Sequence, residues 1–410
     1  MSEPLFAGLK VVDAASVIAA PAAAMMLADF GADVIKIEKP GRGDMLRILS
    51  NMPGTPEECR NYMWDMDGRN KRSIALNLKT EHGKQILHEL ADWCDVFITN
   101  MPYPSRIEFN ATYEDLKVTN PTIVYASLTA YGELGEERDR KAFDQLAYWA
   151  RSGLMDLMRE PGTKPTQGLP GMGDHPTAVA IYAGIVTALL KRERTGEGSF
   201  VQTSLLANGL WSNAAIAQGA MAGADMERYR DATEVPGVTM QGYQAKDGRW
   251  LQLNMIRTEQ MLSILFTVMG AEDLLVDPRF ASMRDMYRNR REAGEAIQAI
   301  IETRTSGEWM ELFEEAELPV NLMAVVEESA KDAQVLENRI AMVPNENSVG
   351  VPLLLNHPLQ VSGVEHVPTT APPGLGEHSK EILRELGYDQ NSIEELIETG
   401  AVATLSPNPS

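Results

Sequence analysis

The first 135 residues alternate short β-rich runs with stretches of helical periodicity, and this alternation constrains the fold more than any other feature of the chain. Strands are expected at residues 9–13, 33–38, 73–78, 95–99 and 122–128, with helices at 22–30 and 80–93 between them. Strands separated by helices of such length build βαβ units, whose parallel sheet is covered by helices on both faces. The expected class is therefore α/β, with a doubly wound large domain. A long helix is expected at 175–194, closed by Lys191, Arg192 and Arg194 ahead of Gly196. Positive charge and glycine suit the dipole and cap geometry of a helix C-terminus. A short strand at 199–204 and a helix at 205–221 follow.

The texture changes near Gly223. Residues 223–237 are polar with charges of both signs and read as a linker. Lys246-Asp247-Gly248, between runs at 238–245 and 249–253, marks a hairpin, because Asp-Gly supplies the positive φ of a tight turn. Helices near 257–268, 283–303 and 306–316 complete a small α+β domain. A chain of 410 residues exceeds one core of ordinary size. The expected division is 1–222 for the first part of the large domain, 223–330 for the small domain with its linker, and 331–410 for a C-terminal segment returning to the large domain. That last segment holds a Pro-rich path at 352–373 and two short helices within 379–399.

A formal net charge of −21 argues against nucleic acid and against an anionic membrane surface as partners. A small polyanion stays compatible, since a few local cations or a helix N-terminus can bind phosphate. The two cysteines, Cys59 and Cys94, form no CxxC pattern, so neither a disulfide framework nor a thiolate zinc site is expected. The six histidines show no metal-ligand spacing, and no metal is expected; His82 and His88 read as surface groups of an amphipathic helix. The start of the chain has no basic-then-apolar signal pattern, and its apolar stretch from Val17 to Leu27 is about half the ~20 residues of a membrane span. A cytoplasmic protein is expected. No GxGxxG follows the first strand, and GxxxxGK[ST] and GxSxG do not occur, which leaves dinucleotide, nucleoside triphosphate and serine-hydrolase chemistry without support.

The run Gly168-Leu-Pro-Gly-Met-Gly-Asp174-His175-Pro176-Thr177 opens directly onto the long apolar helix. Asp174 is expected at the helix N-cap with Pro176 in the first turn. The plain reading is a capping residue. The chemical reading is a carboxylate nucleophile at a helix start, beside glycine-loop N–H groups able to stabilise an oxyanion. Asn100 ends a strand on the side where open α/β sheets collect ligands; turn formation would explain it equally. Lys141, ahead of Ala142-Phe143-Asp144, reads by itself as a solvated loop residue.

Together these segments resemble the class III CoA-transferase family, to which formyl-CoA and carnitine-CoA transferases belong. The resemblance is carried by Gly8-Leu-Lys-Val-Val-Asp13, Ala20-Pro21, Leu27 to Glu38, Gly43-Asp44 with Arg47, Asn70 to Lys79, Asn100, Tyr131-Gly132, Gly173-Asp174, Thr195-Gly-Glu-Gly198, Lys246 to Trp250 and Leu375-Gly-Glu-His378. It implies a Rossmann-like large domain that binds CoA, completed by the C-terminal segment, with CoA and acyl-CoA as substrates, a free carboxylic acid as the other partner, no permanently bound cofactor, and an interlocked homodimer. By resemblance Asp174 is the catalytic carboxylate. CoA contacts carry over to Val17, Ala19, Lys39, Leu76, Asn100, Met101, Arg106 and Lys141, and the substrate pocket to Ile18, Phe143, Asp144 and His175. Ile18 stands where the formyl enzyme has glutamine, and the small domain lacks a run of four glycines, which argues against oxalate or formate. The family's racemases carry Gly-His-Asp where this chain has Ala142-Phe143-Asp144, and phenylalanine cannot take a proton. The Phe-Asp and Gly-Met-Gly-Asp-His runs look most like the subgroup acting on 2-hydroxy acids such as phenyllactate and 2-hydroxyisocaproate. The implied reaction moves CoA through an aspartyl anhydride and an aspartyl-CoA thioester. The competing readings are a 2-methylacyl-CoA racemase or isomerase, and a non-catalytic CoA-binding paralogue.

Overall fold

A computed structural model describes residues 3–58, 60–254, 256–345 and 350–405; Cys59 lies outside them. Six parallel strands form the central sheet: β1 (Lys10–Ala14), β2 (Asp33–Glu38), β3 (Lys71–Leu76), β4 (Val96–Thr99), β5 (Val124–Thr129) and β6 (Ser199–Ser204). Their spatial order is β3-β2-β1-β4-β5-β6, and Val402–Ala403 adds an antiparallel edge to β3. The chain moves outward from β1 to β3, then returns to the far side of β1 to begin β4. This reversal leaves a crevice beyond the carboxyl ends of β1 and β4, where ligands of doubly wound sheets bind.

The pleat divides the core. Val11, Val96, Ile98, Val124 and Ala126 face one layer, built on the helices Ala19–Asp29 and Asp174–Thr195. Val12, Phe97 and Tyr125 face the other, against Glu81–Trp93, Ser379–Glu385 and Gln390–Glu398. Alternating side chains with both faces buried are what a helix-covered parallel sheet requires. Every residue of Ala19–Asp29 is buried; its six alanines admit close approach of sheet and helix.

The chain forms two compact units, residues 1–218 with 333–410, and residues 219–332. In the second, Gly242–Gln244, Trp250–Leu253 and Val320–Leu322 make an antiparallel sheet beside a helical core in which Trp309 and Phe313 stack. The expected hairpin is present, with Gly248 at φ +82°.

Several local expectations need correction. The supposed linker at 223–237 contains the helix Met226–Thr233, which Asp225 caps by accepting the Arg228 N–H at 2.9 Å; mixed charge had masked an ordinary N-cap. The helix expected at 205–221 breaks at Asn213, whose amide donates to the Ser152 carbonyl, and that at 283–303 breaks at Asn289. His82 is exposed, but His88 is partly buried, with Nε2 3.0 Å from the Phe109 carbonyl.

No helix among the described residues is long and apolar enough to cross a membrane.

Candidate active site

A cleft of about 410 Å³ opens at the topological switch point. The loop after β1 supplies Val17, Ile18 and Ala19, the loop after β4 supplies Asn100 and Met101, and Lys141, Phe143 and Asp174 close the wall. Eight of the expected site residues thus meet in one place, although the chain spreads them from position 17 to 174.

Polar contacts that sequence spacing could not show hold the first loop. Asn100 accepts the Ser16 N–H at 3.0 Å and donates to the Ser16 carbonyl at 2.7 Å, so it locks the β1 and β4 loops together. Val17 has φ +72°, a conformation that costs a β-branched residue about 1–3 kcal/mol and persists only where its surroundings enforce it. Its N–H donates to Asp44 Oδ1 at 2.9 Å. Asp44 in turn is ion-paired at 2.7 Å with Lys36 from the middle of β2. Lys36 and Lys71 share Asp13, at 3.5 and 3.0 Å, and the whole set is buried. The buried charges therefore run from three strands of the sheet to the backbone of the cleft floor.

The glycine loop lies flat on the π-helix Gln145–Ala150. A Cβ on Gly168 would come within 2.3 Å of the Trp149 ring, and one on Gly173 within 2.5 Å of Tyr148. Glycine is needed there for contact. Asp144, itself buried, accepts the Gly173 N–H at 3.2 Å. Asp174 is the first residue of its helix and not the cap: Gly173 holds that position, and no side chain caps the helix. A capping carboxylate would be spent on helix N–H groups; this one faces the cleft instead. Burial, with the Asp144 and Asp67 carboxylates nearby, pushes its pKa up to about 7, against the opposing pull of His175.

The remaining expected residues fall elsewhere. Lys39 is exposed and Leu76 is sealed in the core, neither lining the cleft. Arg106 is 2% exposed, its guanidinium held by both oxygens of Glu133 at 3.0 Å and by Ser127 at 3.2 Å. These contacts tie the segment after β4 to that after β5, while the buried Nε donates to no described residue. Asp144 supports the glycine loop, and His175 turns its ring to Asp67, with Nε2 3.3 Å from Oδ2; neither lines the cleft.

Sequence reasoning missed Tyr103, Arg138 and Arg140, which do line it. Arg138 stacks on Tyr103 at 3.7 Å and Arg140 lies over Tyr131 at 5.2 Å. With Lys141 they make a basic edge in an acidic chain, and the run Arg138-Asp139-Arg140-Lys141 was the available signal. Away from the cleft, atoms of Asp29, His357 and His366 converge within 4.8 Å. Asp29 is already bound by Arg69 at 2.6 Å and Asn70 at 2.8 Å. His357 accepts the Leu359 N–H on Nδ1, and burial lowers its pKa to about 4, so Nε2 carries the ring proton. Asp29 is thus committed to Arg69 and Asn70, while the buried His357 Nε2 makes no hydrogen bond to a described residue.

The profile of CoA-transferase family III matches residues 6–379. The chain is 32% identical over 390 residues to a (R)-2-hydroxy-4-methylpentanoate CoA-transferase of Clostridioides difficile, covering 95% of this chain and 97% of that protein. It is 32% identical to a cinnamoyl-CoA:phenyllactate CoA-transferase of Clostridium sporogenes, covering 96% of each. Identity to a succinyl-CoA:glutarate CoA-transferase of Mus musculus is 31%, over 96% of this chain and 89% of that one. Among solved structures, a CAIB/BAIF family protein from Brucella suis superposes with a TM-score of 0.78 at 26% identity, covering 94% of this chain and all of that one. The parallel sheet, the cleft at its switch point and these matches make the chain a member of CoA-transferase family III, an enzyme family that works on CoA thioesters.

Proposed function

We propose that this protein transfers CoA from an acyl-CoA donor to a hydrophobic, aryl or 2-hydroxy carboxylic acid, with Asp174 as the nucleophile. The observation that carries the reading is a carboxylate free of any capping bond, on the wall of the cleft at the sheet's switch point. Val17, Ala19, Asn100, Met101 and Lys141 take the CoA chain along that wall. Arg138 and Arg140 join Lys141 in meeting its phosphates, and Tyr103 offers an aromatic face.

The reaction is a double displacement. Ionised Asp174 attacks the donor thioester carbonyl, the C–S bond breaks, and an acyl-aspartyl anhydride forms as CoA leaves as thiolate. The thiolate attacks the aspartyl carbonyl of the anhydride, releasing the donor acid as carboxylate and leaving aspartyl-CoA thioester. The acceptor carboxylate attacks this thioester, and the same steps in reverse yield the new acyl-CoA and free Asp174. Each thioester consumed is replaced by another, so the exchange is close to balanced in energy.

Acceptor preference follows from an apolar wall of the cleft. Ile18, Phe143 and Leu146 line it, and covering an apolar side chain there is worth roughly 1.5–3 kcal/mol. A small dianion would lose hydration without a cationic partner on that wall. The named activities of the two bacterial relatives point the same way. Phe143 has no proton to exchange, which speaks against α-proton racemisation. A common acyl-CoA donor offered to phenyllactate, 2-hydroxy-4-methylpentanoate, oxalate and succinate tests the preference; faster transfer to the small dicarboxylates would overturn it.

The active form is proposed to be an interlocked homodimer. The apolar helix Ala214–Met221 has no buried residue and follows Trp211, itself 79% exposed; this run of uncovered apolar side chains supports a covering partner. Sedimentation should find a dimer at every dilution that retains folded protein, and a stable active monomer would contradict it.

A further inference from the structure

Asp67 ends the helix Tyr62–Asp67 and is 1% exposed, yet neither carboxylate oxygen accepts a hydrogen bond from a described residue. A buried carboxylate without a partner is costly, and it persists where a counter-charge stands close. Among the described residues the only ion-pair partner within reach is His175, at 3.3 Å. The His175 side chain is 43% exposed, but Nε2, the atom aimed at Asp67, is covered. The next residue back in the chain is Asp174, which lines the cleft while His175 does not.

Asp144 approaches Asp174 from the segment before Gln145–Ala150, and the Gly171 carbonyl faces the His175 ring from the glycine loop. Lys71 of β3 lies near Asp67, but its ammonium is bound to Asp13 at 3.0 Å and to the Pro21 carbonyl at 2.7 Å. Three carboxylates thus crowd a site in which, among the described residues, the His175 ring is the one basic group placed to pair with Asp67.

We propose that Asp67 is a positioning residue for transfer: it holds His175 as an imidazolium beside Asp174, and that charge keeps the Asp174 carboxylate ionised for attack. The inference rests on the reading of Asp174 as nucleophile. Burial works against the proton on His175, but Asp67, then Asp174 and the Gly171 carbonyl, outweigh it and hold the ring above its ordinary value. Burial raises Asp174 first, Asp144 and Asp67 add to it, and His175 is the sole opposing influence. Without the imidazolium the Asp174 pKa would rise further, and a smaller share of the carboxylate would be ionised to attack a thioester.

The test is the pH dependence of kcat/KM for CoA transfer. Its acid limb reports ionisation of the nucleophile in the free enzyme. His175→Gln should move that limb to higher pH by about 1–3 units, the usual effect of a close opposite charge. His175→Lys, which keeps a cation beside Asp67, should leave the limb near its wild-type position. Asp67→Asn should move it in the same direction as His175→Gln but less far, because removing Asp67 also removes a negative charge that opposes ionisation of Asp174. Thermal melts identify any variant that misfolds, and the isosteric Asp67→Asn carries the test should His175→Gln fail to fold. A uniform loss of rate at all pH values with an unmoved limb would overturn the proposal and leave the pair a structural one. Asp174→Asn, run alongside, separates the two readings: if it kept its activity, the nucleophile assignment itself would fall.

Discussion

Replacing Asp44 separates the charge that braces the cleft floor from the hydrogen bonds that shape it. In Asp44→Asn the Lys36 ammonium loses a carboxylate at 2.7 Å. Breaking a buried ion pair from one side typically costs about 3–5 kcal/mol. Asp13, 3.5 Å from Lys36, keeps part of the compensation and favours the lower end of that range. The amide oxygen of asparagine can still accept from the Val17 and Leu46 N–H groups, both at 2.9 Å. Asp44→Ala removes those acceptors too, and each buried donor left unsatisfied costs about 1–3 kcal/mol. Alanine should therefore destabilise by at least about 2 kcal/mol more than asparagine, measured as the difference in denaturant midpoint. It should also free Val17 from its left-handed conformation, so that KM for acyl-CoA rises while Asp44→Asn leaves KM far closer to wild type. Equal destabilisation by the two variants, or an unchanged KM in Asp44→Ala, would refute the link from buried charge to cleft backbone.

Asp174→Asn should stabilise the fold at pH 8. An acid whose pKa rises from 3.8 to about 7 on folding loses stability progressively as pH climbs through that interval, because the folded state holds the proton longer. The gain is on the order of 4 kcal/mol at most, reduced by the partial exposure of the carboxylate; it should shrink as pH falls towards 4 and appear as a converging pair of melting temperatures. Gly173→Ala drives a methyl to 2.5 Å from the Tyr148 ring, so overpacking should cost about 1–3 kcal/mol and shift Asp174 enough to depress kcat. An unperturbed melt and rate would mean that the loop has slack.

Much of the large unit was legible because β-rich runs and apolar helices repeat at the spacing of a doubly wound sheet. Strands β1, β2 and β4 lie within a residue or so of their expected limits. Asp174 stood out because three glycines and a proline open directly onto a 22-residue helix. Its role within that helix was misread by one position: aspartate is a favoured cap, but Tyr148 admits only glycine at the residue before it. What could not be read was anything created by packing alone. Asp67 is an ordinary acidic residue in sequence and becomes distinctive only when its helix carries it beneath His175. Asp44 looked like part of a shared motif, and its grip on Val17 is visible only in the backbone. Arg106 is a further case, since nothing in the sequence announces the pairing of its guanidinium with Glu133.

Direct capture of the covalent intermediate bears most closely on the central claim. Wild-type protein incubated with an acyl-CoA donor and no acceptor, then quenched with hydroxylamine, should yield an aspartyl hydroxamate on the peptide that contains Asp174, identified by mass spectrometry. Without the quench, the same peptide should carry CoA joined with loss of water, and Asp174→Asn protein should carry neither. A covalent adduct on any other residue, or steady turnover by Asp174→Ala protein with no adduct at all, would contradict the assignment of Asp174 as the group that takes the acyl chain.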